Sequence, residues 1–381
     1  MKRDYSKIKV CHLTSVHPVK DGRIFYKECT SLANAGYDVT LIVAGAADEI
    51  CNRVKIVGVP KAEGRLGRIL KTTRNVYKKA LEINADIYHL HDPELLPVGL
   101  RLKKKGKKVI FDSHEDYTAN IKEKPYLNSY IAKIIAACYT AYERYVLRRY
   151  DAVVSVTPHL TERLKNINCR TYQVTNYKQT NNKGYDVSVP RNSIGNTVSF
   201  VGPIRDQWCI REIIDSLSDD ISLKLAGPAE DNYIEILKHQ SNWNKVNYLG
   251  KVQPQEVETI YQTSCLGFAL LRYSLAVGNN IGTLGNTKIF EIMGAGIPVI
   301  CTDFILWKDI IEKYKCGICI DPTNVSAIKE AISYILNNPK EAKQMGENGK
   351  VAVEVEFNWE SQVNILLNMY ETLLINIANK K

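Results

Sequence analysis

The sequence predicts an α/β protein made of two doubly wound, Rossmann-like domains that face a central cleft. Three observations support this class. The chain has 381 residues, which is more than one hydrophobic core usually holds. Apolar, β-branched runs alternate with helix-like patterns over most of the length. The alternation stops once, in a polar stretch near residues 177–196, and we predict the junction of the two domains there.

The first domain begins with a strand, a helix and a second strand. Residues 8–16 (IKVCHLTSV) form an apolar run, a helix-like pattern continues to Gly36, and YDVTLIVAG follows directly. Parallel strands need such a crossover helix. The alternation then continues through a helix (RILKTTRNVYKKALEIN), a strand (ADIYHLH), a helix (PELLPVGLRLKKKG), a strand (KKVIFDSH), a long helix from about Asn120 to Arg149, and a strand (DAVVSVT).

The second domain repeats this pattern. Its strands are predicted in TVSFVG, ISLKLAG, VNYLG, CLGFALL, PVICTDF and CGICIDP, with helices between them. The predicted bounds are residues 1–178 for the first domain and 196–360 for the second. Because ligands of open parallel sheets bind beyond the carboxyl ends of the strands, we expect the functional residues in the strand-to-helix loops.

Composition and charge narrow the function. No apolar run is long enough to cross a bilayer, and the N-terminus lacks a secretory signal pattern, which predicts a cytoplasmic chain. Residues 1–180 contain 32 Lys and Arg against 18 Asp and Glu, whereas the remainder contains 19 against 23. This asymmetry indicates either solvated surface lysines or an anionic partner of the first domain. No helix-turn-helix or zinc pattern accompanies the charge, so we predict no nucleic-acid partner.

One segment, GNTKIFEIMGAGIPVICTD at residues 285–303, has specific chemistry. A helix that begins at about Lys288 presents unpaired backbone N–H groups that suit a diphosphate, and Lys288 adds a full positive charge. Glu291, about one turn into the helix, is placed to accept hydrogen bonds from sugar or ribose hydroxyls. On spacing alone, the commoner interpretation is that Glu291 complements the helix dipole.

This segment resembles the nucleotide-sugar-binding segment of GT-B-fold glycosyltransferases, especially the retaining glycosyltransferase family 4 (group 1). Other stretches agree in order and spacing, so the resemblance covers nearly the whole chain: HPVKDGRIFYKECTSLANAGYDVTLI, HLHDPELLPVGL, IFDSHED, SFVG, LKLAG, NYLGKV, CGICIDP and FNWE. It implies a GT-B fold in which the final helix, at about 361–381, crosses back onto the first domain. It also favours donor binding as the role of Glu291.

The resemblance implies a donor site on the second domain. Its residues follow the strand ends and are Gly202, Arg205, Gly227, Lys251, Val252, Thr283, Asn286, Thr287, Lys288 and Glu291. Two positions depart from the family pattern. Thr283 stands where many members have a glutamate that contacts the donor sugar, and Trp208 stands at the position of a diphosphate-binding lysine, which leaves Arg205 as the candidate there. Contacts to the sugar are therefore expected from backbone amides, Thr283 or asparagines.

In the first domain, His114 closes the strand KKVIFDSH and is expected to project into the cleft. A histidine at a strand end is commonly a hydrogen-bonded structural residue. In the resembling family the matching histidine contacts the donor sugar, so His114 and Glu291 are the predicted catalytic residues. The predicted acceptor-side residues are His17, Arg23, His91 and Asp92.

Two patterns are also compatible with a metal. His89 and His91 lie beside carboxylates in HLHDPE, as in many metal sites. We prefer a strand exit in which alternation puts both histidines on one face and Asp92 caps the helix that starts at the following proline. The Cys316 and Cys319 pair lies in a predicted strand, where cysteine is a small apolar residue. We therefore predict no metal and no cofactor besides the nucleotide-sugar substrate.

The implied function is a metal-independent, retaining hexosyltransferase. It would move a sugar from a nucleotide-diphosphate donor to a glycan or lipid-linked acceptor in surface polysaccharide or glycoconjugate synthesis. The stretch YLNSYIAKIIAACYTAYERYVLRRY is either core or a surface that lies on the anionic inner face of the plasma membrane. The alternative functions are a nucleotide-sugar epimerase of the same fold and a non-catalytic nucleotide-sugar-binding protein, which the missing glutamate favours.

Overall fold

The computed structural model describes residues 5–122, 128–179, 195–230 and 232–378. The chain divides into two compact units, which are Met1–Asn176 with Glu360–Lys381 (unit 1) and Tyr177–Trp359 (unit 2). Each unit is built on a mainly parallel sheet, so the predicted class of two Rossmann-like α/β domains is confirmed. Most of the linker predicted at 177–196 falls on residues 180–194, outside the described residues.

The sheet of unit 1 has the strand order β3-β4-β2-β1-β5-β6-β7-β8 in the described residues. All neighbours are parallel except β3 and β4, which are antiparallel. The strands are β1 (Lys9–Thr14), β2 (Asp38–Ala44), β3 (Glu49–Cys51), β4 (Val54–Val59), β5 (Ile87–Leu90), β6 (Lys108–Ser113), β7 (Ala152–Ser155) and β8 (Thr171–Gln173). Strands β3, β4 and β8 were absent from the sequence prediction; β3 and β8 have only three residues each, whereas β4 is a six-residue strand between β3 and β2.

The helices of unit 1 begin with a π-helical turn at Ile24–Cys29 that runs into α1. They are α1 (Thr30–Asn34), α2 (Gly64–Gly67), α3 (Thr73–Ile83), α4 (Leu96–Lys104), α5 (Tyr117–Lys122), α6 (Ser129–Leu147) and α7 (Pro158–Lys165). A second π-helical turn at Arg68–Thr72 precedes α3, and a 3-10 turn at Pro93–Leu95 precedes α4. The single helix predicted from about Asn120 to Arg149 corresponds to α5 and α6, with residues 123–127 outside the described ranges.

The sheet of unit 2 is parallel throughout its described strands, in the order β11-β10-β9-β12-β13-β14. The strands are β9 (Thr197–Val201), β10 (Ser222–Ala226), β11 (Val246–Gly250), β12 (Leu266–Ala269), β13 (Val299–Thr302) and β14 (Gly317–Ile320). The helices are α8 (Ile210–Asp215), α9 (Tyr233–Lys238), α10 (Pro254–Gln262), α11 (Lys288–Gly294), α12 (Ile305–Tyr314), α13 (Val325–Asn337) and α14 (Pro339–Val355). The C-terminal helix α15 (Trp359–Ala378) follows, and from Glu360 onward it belongs to unit 1.

The strand orders fix where ligands are expected. In unit 2 the direction of winding reverses between β9 and β12, and in unit 1 it reverses between β1 and β5. Loops that follow strands at such a switch point form the ligand crevice of open α/β sheets. The segments after β1, β5, β9 and β12 therefore lie at the two switch points, and they contain eleven of the fifteen predicted site residues.

The two units differ in the kind of side chain that they bury. The core of unit 2 is apolar, with large buried side chains such as Phe200, Phe268, Phe290 and Trp307. Unit 1 instead buries several titratable side chains under the carboxyl ends of its central strands, including His12, Glu28, His89 and Asp112. Buried titratable groups are costly unless they are paired or bind a ligand. No helix within the described ranges has the length and apolar character that a bilayer crossing requires.

Candidate functional site

The polar centre of unit 2 is the side chain of Lys288, which begins α11 as predicted. The residue is only 7% exposed, and its ammonium lies 4.0 Å from the ring centroid of Trp208. No carboxylate of the described residues lies within ion-pair distance of it. Burial lowers the pKa of Lys288 to about 8, against the opposing effect of the Glu291 charge. A buried cation without a counter-ion is a place where an anion would be stabilised.

Two glycines make room for this lysine. A Cβ on Gly202, whose φ is +148°, would lie 2.1 Å from the Lys288 Nζ. A Cβ on Gly227, whose φ is +139°, would lie 1.9 Å from the backbone oxygen of Gly202. The loops after β9 and β10 can therefore approach each other and Lys288 only because neither residue has a side chain.

The loop before α11 presents further polar groups. The Thr287 hydroxyl donates to Glu291 Oε1 at 2.7 Å, which orients the carboxylate. Asn286 Oδ1 accepts from the Lys288 backbone N–H at 3.1 Å. Within the described chain, Asn286 Nδ2 and Trp208 Nε1 are buried donors without a hydrogen-bond partner. Such donors, next to a buried ammonium, are suited to an anionic ligand with many oxygens.

The remaining predicted donor residues are engaged elsewhere or exposed. Arg205 is exposed, and its Nε pairs with Glu230 Oε1 at 3.1 Å. Thr283 shapes its own loop, because its hydroxyl oxygen accepts from Gly285 N–H at 3.0 Å and its carbonyl accepts from Trp307 Nε1 at 2.7 Å. Lys251 is exposed, and Val252 packs against the core.

In unit 1, Asp92 ties the loop after β1 to the end of β5. Its Oδ2 accepts from the Ser15 backbone N–H at 2.6 Å and from the Thr14 hydroxyl at 2.9 Å, and its Oδ1 lies 3.1 Å from His17 Nδ1. Burial opposes the charge of Asp92, but these bonds lower its pKa to about 2. The pKa of His17 is raised by Asp92 despite partial burial. Asp92 occupies the N-cap position, but its side chain makes no cap hydrogen bond, so the predicted capping role is wrong.

Arg23 lies beneath this loop as the centre of a buried ion-pair network. Its Nε is 3.0 Å from Asp112 Oδ2 and 3.0 Å from Glu28 Oε1, and its Nη1 donates to the Val174 carbonyl at 2.9 Å. Burial disfavours the charged carboxylate of Asp112. The Arg23 guanidinium outweighs this effect and holds the pKa of Asp112 well below its usual range. Arg23, predicted on the acceptor side, is thus buried and satisfied by protein groups.

The histidines form a continuous stack above and beside this network. His91 is fully buried, and its ring stacks on that of His114 at 5.5 Å. His114 Nδ1 lies 3.3 Å from Asp112 Oδ2, and its ring meets that of His17 edge-on at 5.3 Å. His89 and His91 share one face, as predicted, with their rings stacked at 4.8 Å. The histidines with exposed edges are His17 and His114, whose side chains are 27% and 15% exposed.

The sequence prediction overlooked three members of this cluster, namely His12, Glu28 and Asp112. Each interrupts an otherwise apolar strand or helix face (KVCHLT, IFYKEC and KVIFDS). A titratable residue at an inward position of a buried element is the signal that would have found them. They bring two groups of metal-ligating side chains together, His12 with Glu28, His89 and His91, and His91 with Asp112 and His114.

Comparisons with solved structures show that this architecture is the GT-B fold. A sucrose-phosphate synthase from Thermosynechococcus elongatus superimposes with a TM-score of 0.73 at 15% identity, over 97% of this chain and 100% of that one. Anabaena HepE, determined in complex with UDP and glucose, gives a TM-score of 0.70 at 15% identity, over 96% of this chain and 99% of that one. At such identities the likeness establishes the fold alone.

Sequence comparisons give the family. The model described as Glycosyltransferase Family 4 matches residues 22–174, and that described as Glycosyl transferases group 1 matches residues 196–352. An uncharacterized glycosyltransferase of Methanocaldococcus jannaschii is 26% identical over 238 residues, which are 60% of this chain and 62% of that protein. The chain thus matches about three fifths of that relative's length. It belongs to the GT-B glycosyltransferases of group 1.

Proposed function

We propose that the chain is a retaining hexosyltransferase that takes its sugar from a nucleotide-diphosphate donor, without a metal ion at the diphosphate. The observation that carries this proposal is Lys288, a buried ammonium without a carboxylate partner in the described residues. A diphosphate supplies the missing negative charge. Anabaena HepE, which shares the fold, is described in complex with UDP-glucose, which supports a donor of this class.

The chemistry follows from the charge that develops on the leaving group. As the bond from the sugar to the nucleoside diphosphate breaks, negative charge grows on the phosphate, and preorganised donors stabilise it. Lys288, Asn286 Nδ2 and Trp208 Nε1 are the donors available for this. Glu291, oriented by Thr287, is assigned to the ribose hydroxyls. We assign the donor's own phosphate as the base that receives the acceptor proton, with retention of the anomeric configuration.

On unit 1 we assign His114 to the donor sugar and His17 with Asp92 to the acceptor side. The 3.1 Å contact of His17 with Asp92 fixes the imidazole at the end of β1. The imidazole of His114 is held by Asp112, whose Oδ2 lies 3.3 Å from His114 Nδ1. Arg23 and His91 are buried, so we assign them to positioning these two histidines rather than to contact with the acceptor.

Calorimetric titration with UDP-, GDP- and dTDP-sugars tests the donor site. A lysine-to-phosphate hydrogen bond contributes about 1.5–3 kcal/mol, so Lys288→Ala should weaken binding by about 10- to 100-fold. Glu291→Ala should weaken it through loss of the ribose contacts. Lys343→Ala, an exposed lysine on α14, is the matched control and should bind as the wild type does. Unchanged binding in both Lys288→Ala and Glu291→Ala would refute the assignment.

Product analysis then separates the transferase from its alternatives. Incubation with the bound donor and a panel of glycan and lipid-linked acceptors should yield a glycosylated product with the donor's anomeric configuration. An epimer formed in the absence of acceptor would identify an epimerase. Binding without turnover over the whole panel would identify a non-catalytic nucleotide-sugar-binding protein.

We further propose that unit 1 rests on an anionic bilayer, where a lipid-linked acceptor in surface glycan synthesis would be found. Helix α6 exposes Tyr130, Ile131, Ile134 and Ile135, with Tyr130 75% exposed. Near its C-terminal end lies a groove of about 600 Å³ lined by Pro97, Leu100, Arg101, Lys103, Lys104, Tyr145 and Arg149. Apolar side chains followed by basic ones match the interior and headgroups of an anionic membrane surface.

Sedimentation with vesicles tests this surface. The chain should sediment with phosphatidylglycerol vesicles at low salt, less so at high salt, and not with phosphatidylcholine vesicles. The double variant Ile131→Ser with Ile134→Ser should lose this binding. Val355→Ser, which removes an exposed valine of α14, should not. Absence of binding to either type of vesicle would disprove membrane contact while leaving the donor site untouched.

A further inference from the structure

Four side chains in the core of unit 1 direct metal-binding atoms to one point. They are His12 from β1, Glu28 from the first π-helical turn, and His89 and His91 at the end of β5. All four are fully buried, and their ligand atoms lie within 4.8 Å of one another. Imidazole nitrogens with a carboxylate oxygen are ligands that zinc and similar transition metals prefer.

Their spacing suits coordination of a central ion. Glu28 Oε2 lies 3.9 Å from His12 Nδ1, 3.9 Å from His91 Nε2 and 4.0 Å from His89 Nδ1. These distances are too long for hydrogen bonds. Ligand atoms around a tetrahedral zinc ion are about 3.3 Å apart, because each lies about 2.0–2.1 Å from the metal. His12 Nδ1 and His91 Nε2 are hydrogen-bonded to each other at 2.9 Å, and both nitrogens would have to exchange this bond for the ion.

The atoms of these residues that point away from the proposed ion contact polar groups of the kind that orient metal ligands. His91 Nδ1 faces Asp112 Oδ2 at 3.6 Å, and His12 Nε2 faces the Tyr370 hydroxyl at 3.3 Å. Glu28 Oε1 is ion-paired with Arg23 at 3.0 Å. An imidazole that donates its outer N–H to a carboxylate or oxygen keeps its inner nitrogen free for a metal. Three of the four residues, namely His12, Glu28 and His91, therefore have the polar neighbours expected of metal ligands.

The local fold also aims these groups inward. Single π-helical turns are rare and often lie at functional sites, and this one places Glu28 in the core. Glu28 Oε2 is buried without a hydrogen-bond donor in the described residues.

We propose that unit 1 binds one divalent transition-metal ion, zinc by its ligand chemistry, through His12 Nδ1, Glu28 Oε2, His89 Nδ1 and His91 Nε2. His89 would exchange its 2.9 Å contact with the Tyr370 hydroxyl for the ion. Four protein ligands without an exposed position define a structural site, not a catalytic one. The ion joins β1, the π-helical turn and β5, and it fixes His91, on whose ring His114 stacks.

Metal analysis of the untagged full chain tests the proposal. Protein purified without chelators should contain one zinc or related ion per chain by inductively coupled plasma mass spectrometry. Chelator treatment should lower the Tm, and added zinc should restore it. Cobalt loading should give the visible absorption of a tetrahedral site. A metal content below about 0.1 per chain, before and after incubation with zinc, and an unchanged Tm would overturn the proposal.

Two variants locate the ion. Glu28→Gln keeps the side-chain shape but loses the anionic ligand, so it should lose stoichiometric zinc. His239→Ala removes an exposed histidine of unit 2 and should keep it. A folded Glu28→Gln protein with the zinc content of the wild type would overturn the assignment of ligands. Where Glu28→Gln does not fold, the metal content and chelator response of the wild type decide, and neither measurement depends on donor binding.

Discussion

Replacing Lys288 with methionine is expected to stabilise unit 2 and to weaken donor binding by about 10- to 100-fold. The substitution keeps the volume of the side chain and removes the buried charge. Burial lowers the pKa of Lys288 from its ordinary value of 10.5 to about 8, which corresponds to about 3 kcal/mol of unfavourable free energy in the folded state. The charge also contacts the Trp208 ring, and loss of that interaction offsets about 0.5–2 kcal/mol of the gain. At pH 7 we therefore expect a net stabilisation of about 1–3 kcal/mol.

The pH dependence of stability distinguishes the effect of the Lys288 charge from the other effects of the substitution. The lowered pKa means that the unfolded chain binds more protons than the folded chain between about pH 8 and 10.5, so wild-type stability rises in that window relative to the variant. The electrostatic penalty is fully present below pH 8 and falls to about 1 kcal/mol at pH 10. The variant has no titrating group at this position, so its advantage should shrink by about 2 kcal/mol between pH 7 and pH 10.

Urea denaturation of both proteins at pH 7 and pH 10 measures how the difference in their free energies of unfolding changes with pH. Titration with the best-binding nucleotide sugar gives the functional readout, and at the same ligand concentration the variant should show a much smaller ligand-induced rise in Tm than the wild type. An advantage of Lys288→Met that is absent at pH 7, or that stays constant with pH, would refute the reasoning. Retained donor binding by the variant would show that the diphosphate does not lie at this ammonium.

Three further predictions follow from the contacts. Gly202→Ala displaces only the flexible end of Lys288 but forces an unfavourable φ, so it should cost about 1–3 kcal/mol and weaken donor binding as Lys288→Ala does. Gly227→Ala meets a backbone oxygen and should cost more, about 2–6 kcal/mol; urea denaturation of both variants checks the order, and the reverse order would contradict it. Asp92→Asn should cost about 2 kcal/mol at pH 7, because the carboxylate pKa is lowered from 3.8 to about 2. That stability is present above pH 3.8 and is lost as the pH falls toward 2, so the gap to the wild type should narrow at pH 3, and a constant gap would exclude this cause.

Sequence periodicity was sufficient for the parallel sheets but not for their edges. The central strands, such as β1 and β9, are buried on both faces and mostly apolar, and this gives a strong signal. Strands β3 and β8 have three residues each, and β3 is largely exposed. Short edge strands carry little periodicity, because one side of the ladder and much of their surface meet water. Strand β4 was also absent from the sequence prediction, but this limit does not explain it, because β4 has six residues and lies between β3 and β2.

The positions of site residues along the chain were easier to predict than their partners. The start of α11 at Lys288 follows from local sequence, whereas its contact with the Trp208 ring joins residues 80 positions apart. Pairing of Arg23 with Asp112 across 89 positions likewise depends on the packing of a π-helical turn against β6. Local patterns specify which residue types reach a strand end, but tertiary packing decides which of them become buried and paired.

The two units differ in whether a buried cation has a carboxylate partner, and this difference distinguishes a structural residue from a ligand-binding one. In unit 1, Arg23 is balanced by Asp112 and Glu28, so its burial requires no external group. In unit 2, Lys288 lacks such a partner in the described residues, and burial of its charge costs about 3 kcal/mol before the contact with the Trp208 ring is counted. A ligand present at 100 times its Kd stabilises the folded state by about 2.7 kcal/mol. A bound nucleotide diphosphate would thus offset nearly the whole cost of this lysine, which is the relationship expected of a residue retained for binding and not for stability.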